Sequence, residues 1–104
     1  MSTEYDQKLL SGSRKKPLSA GSWLLRQGER QSKIYYLHHG VARAVHHSAN
    51  GSERVKEFYF PGEYCFLYLN WLTHTSADYS LQMITPGEIS EISLAWLDAP
   101  EHRD

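Results

Sequence analysis

The chain has 104 residues, 40% of them hydrophobic and 22% charged, with one cysteine and a formal net charge of −1. These values describe one small globular domain and exclude a disordered or collagenous chain, an internal disulfide framework and a four-cysteine metal centre. Charge is unevenly spread: residues 1–33 balance at +4, residues 34–74 at 0 and residues 75–104 at −5, and no Lys or Arg stands between Lys56 and Arg103.

Residues 1–17 read as an N-terminal arm with a short helical piece at 6–10. Ser11-Gly12-Ser13-Arg14-Lys15-Lys16-Pro17 has the composition of a loop, and its basic triplet is too short for a nucleic-acid patch. From Leu18 onward turn signals recur at Gly21, Gly28, Gly40, Asn50-Gly51, Pro61-Gly62 and Pro86-Gly87. Most gaps are near the ~8–12 residues of a sandwich or barrel. Trp23-Leu24-Leu25-Arg26 is a short strand, and residues 34–39 form a strongly β-prone one. Gly40 marks a bulge or bend. Residues 41–47 continue as a strand with Val41, Arg43, Val45 and His47 on one face. Asn50-Gly51 predicts a tight hairpin that sets His47 opposite Arg54 and Val45 opposite Lys56. Residues 54–60 return, and Pro61 stops them.

Residues 64–72 are too apolar for a loop and predict a short buried helix or turn, with its entry, wedged against the sheet. Residues 79–84 alternate, Tyr79, Leu81 and Met83 against Ser80, Gln82 and Ile84. Residues 88–94 alternate again, Ile89, Glu91 and Ser93 against Ser90, Ile92 and Leu94. Ser93-Leu94-Ala95-Trp96-Leu97 starts a helix that Asp98-Ala99-Pro100 ends, leaving residues 98–104 as a tail.

The order of these motifs resembles a known family. Leu25-Arg26-Gln27-Gly28-Glu29, then Ile34-Tyr35-Tyr36-Leu37 with Gly40 and Val41-Ala42-Arg43, looks like the first half of a cyclic-nucleotide-binding domain. Asn50-Gly51-Ser52-Glu53 and Phe58-Tyr59-Phe60-Pro61-Gly62-Glu63 match its next hairpin, and Tyr79-Ser80-Leu81-Gln82 with Glu88-Ile89-Ser90-Glu91-Ile92-Ser93 its last two strands. Residues 18–97 are similar to the sensory domain of the CRP/FNR transcription regulators. The resemblance implies a mainly β fold, a β jelly roll (double-stranded β-helix) with short flanking helices.

The family's phosphate cassette, with its Arg on the cyclic phosphate and its Glu on the ribose, corresponds to residues 63–79. The expected Gly falls at Phe66, the Glu at Leu67 and the Arg-Ser pair near Ala77-Asp78, and no Arg or Lys occurs in that stretch. Burying a phosphate without a charged donor is expensive, so little or no cyclic AMP binding is expected. Tyr64, Tyr68, Asn70, Trp71, His74, Asp78, Tyr79 and Gln82 would instead make an aromatic, mildly polar pocket for a small neutral or apolar effector.

Other chemistry has less support. A cross-strand pair such as His38 with His46 is what a cupin-like metal protein would use, but no carboxylate has the matching spacing. Haem-sensing relatives ligate iron through Cys or His; Cys65 and His74 match by residue type only, and Cys65 reads as a buried small hydrophobe. No nucleophile elbow or Walker-type loop is present. No enzyme activity, metal or cofactor is expected. The family continues into a dimerisation helix and a helix-turn-helix that this sequence lacks. The expected function is therefore that of an effector-sensing regulatory domain with no direct nucleic-acid contact of its own. A homodimer is the association the family suggests, weakened without that helix, and an apolar patch at Trp96 and Leu97 would favour another. The alternatives are a stand-alone interaction module or a small cupin-like metal protein. No apolar run nears the ~18 residues of a membrane span, and MSTEYDQKLL lacks the features of a signal peptide, so a cytoplasmic location without membrane contact is expected.

Overall fold

The computed structural model describes residues 14–95. The helical piece at 6–10, the Trp96–Leu97 patch and the tail lie outside the described residues. The elements are β1 (Lys15–Leu18), β2 (Trp23–Leu25), β3 (Lys33–His39), β4 (Ala42–His47), β5 (Glu53–Tyr59), β6 (Tyr64–Cys65), α1 (Tyr68–Thr73), β7 (Ser80–Met83) and β8 (Gly87–Ser93). They form two four-stranded antiparallel sheets, ordered β1-β8-β3-β6 and β2-β7-β4-β5. Apart from the β4–β5 hairpin, strands consecutive in sequence alternate between sheets, as in a jelly roll.

Alternation explains the core. Leu37, Ala42, Ala44, Leu81, Met83 and Ile89 point between the sheets and are essentially inaccessible. Tyr35 joins them, its hydroxyl donating to the Leu24 carbonyl at 2.8 Å. Burial pushes its pKa up to about 12, with Glu91 adding to the shift. A second cluster of Ile34, Ile92 and Leu94 is covered by Tyr64, Phe66 and Trp71. Both the Ile89 and the Ile92 sides of β8 are therefore buried, one in each cluster.

The corner between β3 and β4 depends on Gly40. These strands belong to different sheets, so the chain must turn sharply between His39 and Ala42. Gly40 does so at φ +93, in the left-handed region that favours glycine. The bend expected there is also a close crossing: a Cβ on Gly40 would sit 2.7 Å from the Pro86 carbonyl oxygen.

Four details differ from the sequence-based expectations. Lys15, Lys16 and Pro17 are not loop but part of β1, paired with β8; Pro17 is tolerated because β1 is an edge strand. The hairpin after β4 is one residue out of the expected register: His46 faces Arg54, His47 faces Glu53 and Val45 faces Val55. Gly51 donates to the Ser48 carbonyl and adopts φ +88, so the turn has three residues and ends in a left-handed glycine. A bulge also falls opposite Ala44 and Val45, with Lys56 the extra residue on β5, while β4 pairs continuously with β7 and Val45 keeps the face of Arg43 and His47, both of which reach Glu53. Finally, His38 lies on β3 and His46 on β4, in different sheets, which removes the proposed cross-strand metal pair. Among the described residues no group of three or more His, Cys, Asp or Glu is placed to hold a metal.

His38 has a different role. It is half-buried, with its Nε2 2.7 Å from Ser90 Oγ. Burial holds its pKa below the ordinary 6.5; Lys15 and His39 push the same way and Glu88 opposes them. A proton then binds the unfolded chain more readily than the folded one. The stabilisation is complete above 6.5 and is lost as pH falls from that value through the lowered pKa of the folded state. We expect His38→Gln, which retains a partner for Ser90, to flatten the acid side of the stability–pH curve measured by urea unfolding. An unchanged acid slope in the variant would remove His38 as its source.

Candidate functional site

The site lies where α1 meets the β2-β7-β4-β5 sheet. Helix α1 is six residues long and starts poorly, because its N-cap, Leu67, carries no side-chain acceptor. A distant glutamine compensates. The Leu67 N–H donates to Gln31 Oε1 at 2.7 Å, and Gln31 Nε2 donates to the Leu67 carbonyl at 3.0 Å. The far end is held by Arg30, whose Nη1 donates to the His74 carbonyl at 2.9 Å. His74 stops the helix in the left-handed conformation, φ 55, unusual for a residue other than glycine. Beyond it, Gly28 donates to the Ala77 carbonyl and Ala77 donates to the Glu29 carbonyl, both at 2.8 Å. Residues 28–31 thus clasp the cassette at its start, its end and its exit.

The expected buried helix sits largely at the surface. Of its six residues only Asn70 is buried, while Tyr68, Leu69 and Leu72 are more than half exposed. Six residues give fewer than two turns, and one flank already rests on the Ile34–Ile92 cluster through Trp71. Asn70 braces the cassette from within. Its Nδ2 donates to Thr75 Oγ1 at 2.9 Å and to Asp78 Oδ2 at 3.1 Å, and its Oδ1 accepts from the Asp78 N–H at 3.2 Å.

Between α1 and β5 opens a cavity of about 410 Å³, within the usual range for small-molecule sites. Tyr64, Tyr68, Asn70, Asp78 and Tyr79 border it, so five of the eight residues selected from the sequence meet there. Trp71 and His74 line a separate hollow of about 190 Å³ on the other flank of α1, with Arg30 and Leu94. Gln82 borders neither: its Oε1 accepts from Arg43 Nη2 at 2.8 Å, and its Nε2 donates to the Gly21 carbonyl at 3.2 Å.

The cavity also holds residues that sequence reasoning missed, namely Phe66, Leu67 and Leu69 from the cassette and Lys56, Glu57 and Tyr59 from β5. Lys56 Nζ lies 4.6 Å from the centre of the Tyr79 ring. The absence of Arg and Lys is therefore a property of the cassette, and β5 brings one cation to the cavity wall. Its sequence signal was the hairpin, which indicates that β5 runs beside β4 but not what faces β5 from the cassette. Tyr59 is largely buried, and burial, with a hydrogen bond to Glu57 among the further causes, raises its pKa. Cys65 is fully buried in the core cluster, and burial pushes its thiol well above the ordinary value, making it a poor thiolate ligand or nucleophile.

A jelly roll with a short helix clasped over a cavity beside one sheet edge defines a small-molecule-binding class of domain. Residues 15–99 match the family described as cyclic nucleotide-binding domain, and the chain belongs to that family. Solved structures agree in fold. DNR from Pseudomonas aeruginosa superposes with a TM-score of 0.78 at 22% identity, over 100% of this chain and 46% of that one. The catabolite activator protein of Thermus thermophilus gives 0.74 at 21% identity, over 93% and 47%. CLP, the c-di-GMP-responsive global regulator of Xanthomonas campestris, gives 0.77 at 20% identity, over 89% and 46%. The chain spans about half the length of these proteins. No curated protein sequence matches it. Among the described residues no helix is long and apolar enough to cross a membrane.

Proposed function

We propose that the chain is the effector-sensing domain of a CRP/FNR-type transcription regulator, that it binds a small molecule in the cavity between β5 and the cassette, and that this molecule is not cyclic AMP. One observation carries the reading: the cassette contributes Asp78 to the cavity wall and no Arg or Lys. A buried cyclic phosphate needs charge-assisted donors, and a carboxylate at the same wall repels it. The domain is non-catalytic and cytoplasmic, requires no cofactor and makes no nucleic-acid contact through this chain. A ligand touching both β5 and α1 shifts the packing of the cassette by its differential affinity for the two arrangements. In a dimeric regulator that shift is what the rest of the protein would read.

Calorimetric titration with cyclic AMP and cyclic GMP tests the proposal. We expect no heat and no thermal shift at millimolar nucleotide. Micromolar binding would restore an ordinary nucleotide sensor and overturn the degenerate-cassette reading. A stand-alone interaction module is the second reading, favoured by the exposure of Phe58, Phe60, Leu69 and Leu72. Concentration-dependent association in sedimentation, without stabilisation by any small molecule, would select it.

A further inference from the structure

We propose that the cavity takes an organic cation, an ammonium carried on a flat apolar body, and that the Lys56 side chain is a built-in occupant which the ligand displaces. The inference rests on the small-molecule reading above and names the class of ligand.

The wall chemistry points one way. Five aromatic rings line the cavity, those of Tyr59, Tyr64, Phe66, Tyr68 and Tyr79. Aromatic faces carry negative potential and attract cations. Two carboxylates, Glu57 and Asp78, stand against the single cation, Lys56. Two donors that could otherwise serve an anion are engaged: the Asn70 amide is bonded within the cassette, and the Tyr59 hydroxyl to Glu57. Lys56 itself shows what the cavity accepts. Among the described residues its ammonium makes no ion pair, and it rests over the face of Tyr79 at 4.6 Å. It is exposed and carried on a flexible stem, so it can swing outward when another cation takes the ring.

The probes are 2-phenylethylamine and phenylacetate, which share a ring and differ in the sign of their charge. Each is titrated calorimetrically into the full chain, with cyclic AMP alongside. We expect the amine to bind and the carboxylate not to. Lys56→Met should tighten the amine roughly threefold to fivefold by removing its competitor. Asp78→Asn, which keeps an acceptor for Asn70, should weaken it roughly fivefold, with thermal melts confirming that both variants fold. Binding of phenylacetate as tight as that of the amine, no amine binding at millimolar concentration, or weaker amine binding in Lys56→Met would each overturn the proposal. The cyclic AMP arm reads separately. Amine silence with nucleotide silence removes only the ligand class, whereas micromolar cyclic AMP binding removes the degenerate-cassette reading beneath it.

Discussion

Gly40→Ala is expected to destabilise the domain by about 3–4 kcal/mol. Two independent effects act at this position. Its φ of +93 is strained for any L side chain, at about 1–3 kcal/mol. The new methyl would also sit 2.7 Å from the Pro86 carbonyl oxygen and 2.8 Å from the Gly87 Cα, both backbone atoms at the β7–β8 turn. A flexible side chain could move aside; these atoms cannot without shifting the start of β8 on its neighbours β1 and β3. For a domain of this size the loss corresponds to a fall in Tm of roughly 15–30 °C. Gly51→Ala is the control. It has a similar φ of +88 but open space around the position, so it isolates the backbone strain at about 1 kcal/mol. Thermal or urea unfolding of the pair separates the two effects. Equal losses would show that the corner is looser than the packing implies.

Leu81→Ala is the second large effect, expected at about 3–4 kcal/mol. Leu81 is wholly buried on β7, in register with Leu25 and Ala44. Ala42, Ala44 and Ala77 are in the same core cluster, and such short side chains cannot reach into the space it leaves. The cavity therefore stays open, and its lining loses dispersion contacts as well as transfer free energy. Leu69→Ala on α1 should cost under about 0.5 kcal/mol, because Leu69 is 66% exposed. Urea unfolding at unchanged m-value reads both. A loss below about 1 kcal/mol for Leu81→Ala would mean that the sheets close over the gap.

Several misreadings share one physical origin. The strand at 41–47 was recognisable from its β-branched and alternating residues, but the extra residue that β5 carries opposite Ala44 and Val45 was not. Alternation within β4 is unbroken, as its continuous pairing with β7 shows, and it carries no sign of a bulge in the neighbouring strand. Asn50-Gly51 correctly announced a hairpin, but the dipeptide fits both a two-residue and a three-residue turn, and the choice moves every partner by one. The basic run at 15–17 looked like a loop because an edge strand needs neither an apolar face nor an unbroken ladder.

The candidate site was legible in part for a related reason. Tyr64, Tyr68, Asn70, Asp78 and Tyr79 were selected because they are close in sequence, and the cassette folds on itself through local bonds such as those of Asn70. Gln82 was drawn in by the same nearness, but it lies on β7, where it pairs with Arg43. Lys56, Glu57 and Tyr59 were out of reach of that logic, because β5 faces the cassette only after the sheets have folded.

By itself the sequence determined most of the strands in chain order and, through the order of its motifs, the domain class and the lack of a cation in the cassette, since turn residues, motifs and local periodicity are properties of short stretches of chain. Only the tertiary structure decided that Gln31 and Arg30 clasp the helix, that Gly40 packs against Gly87, and that Lys56 reaches the ring of Tyr79. Those contacts join residues 23 to 47 positions apart. Their geometry follows from how the two sheets pack, which no local pattern encodes.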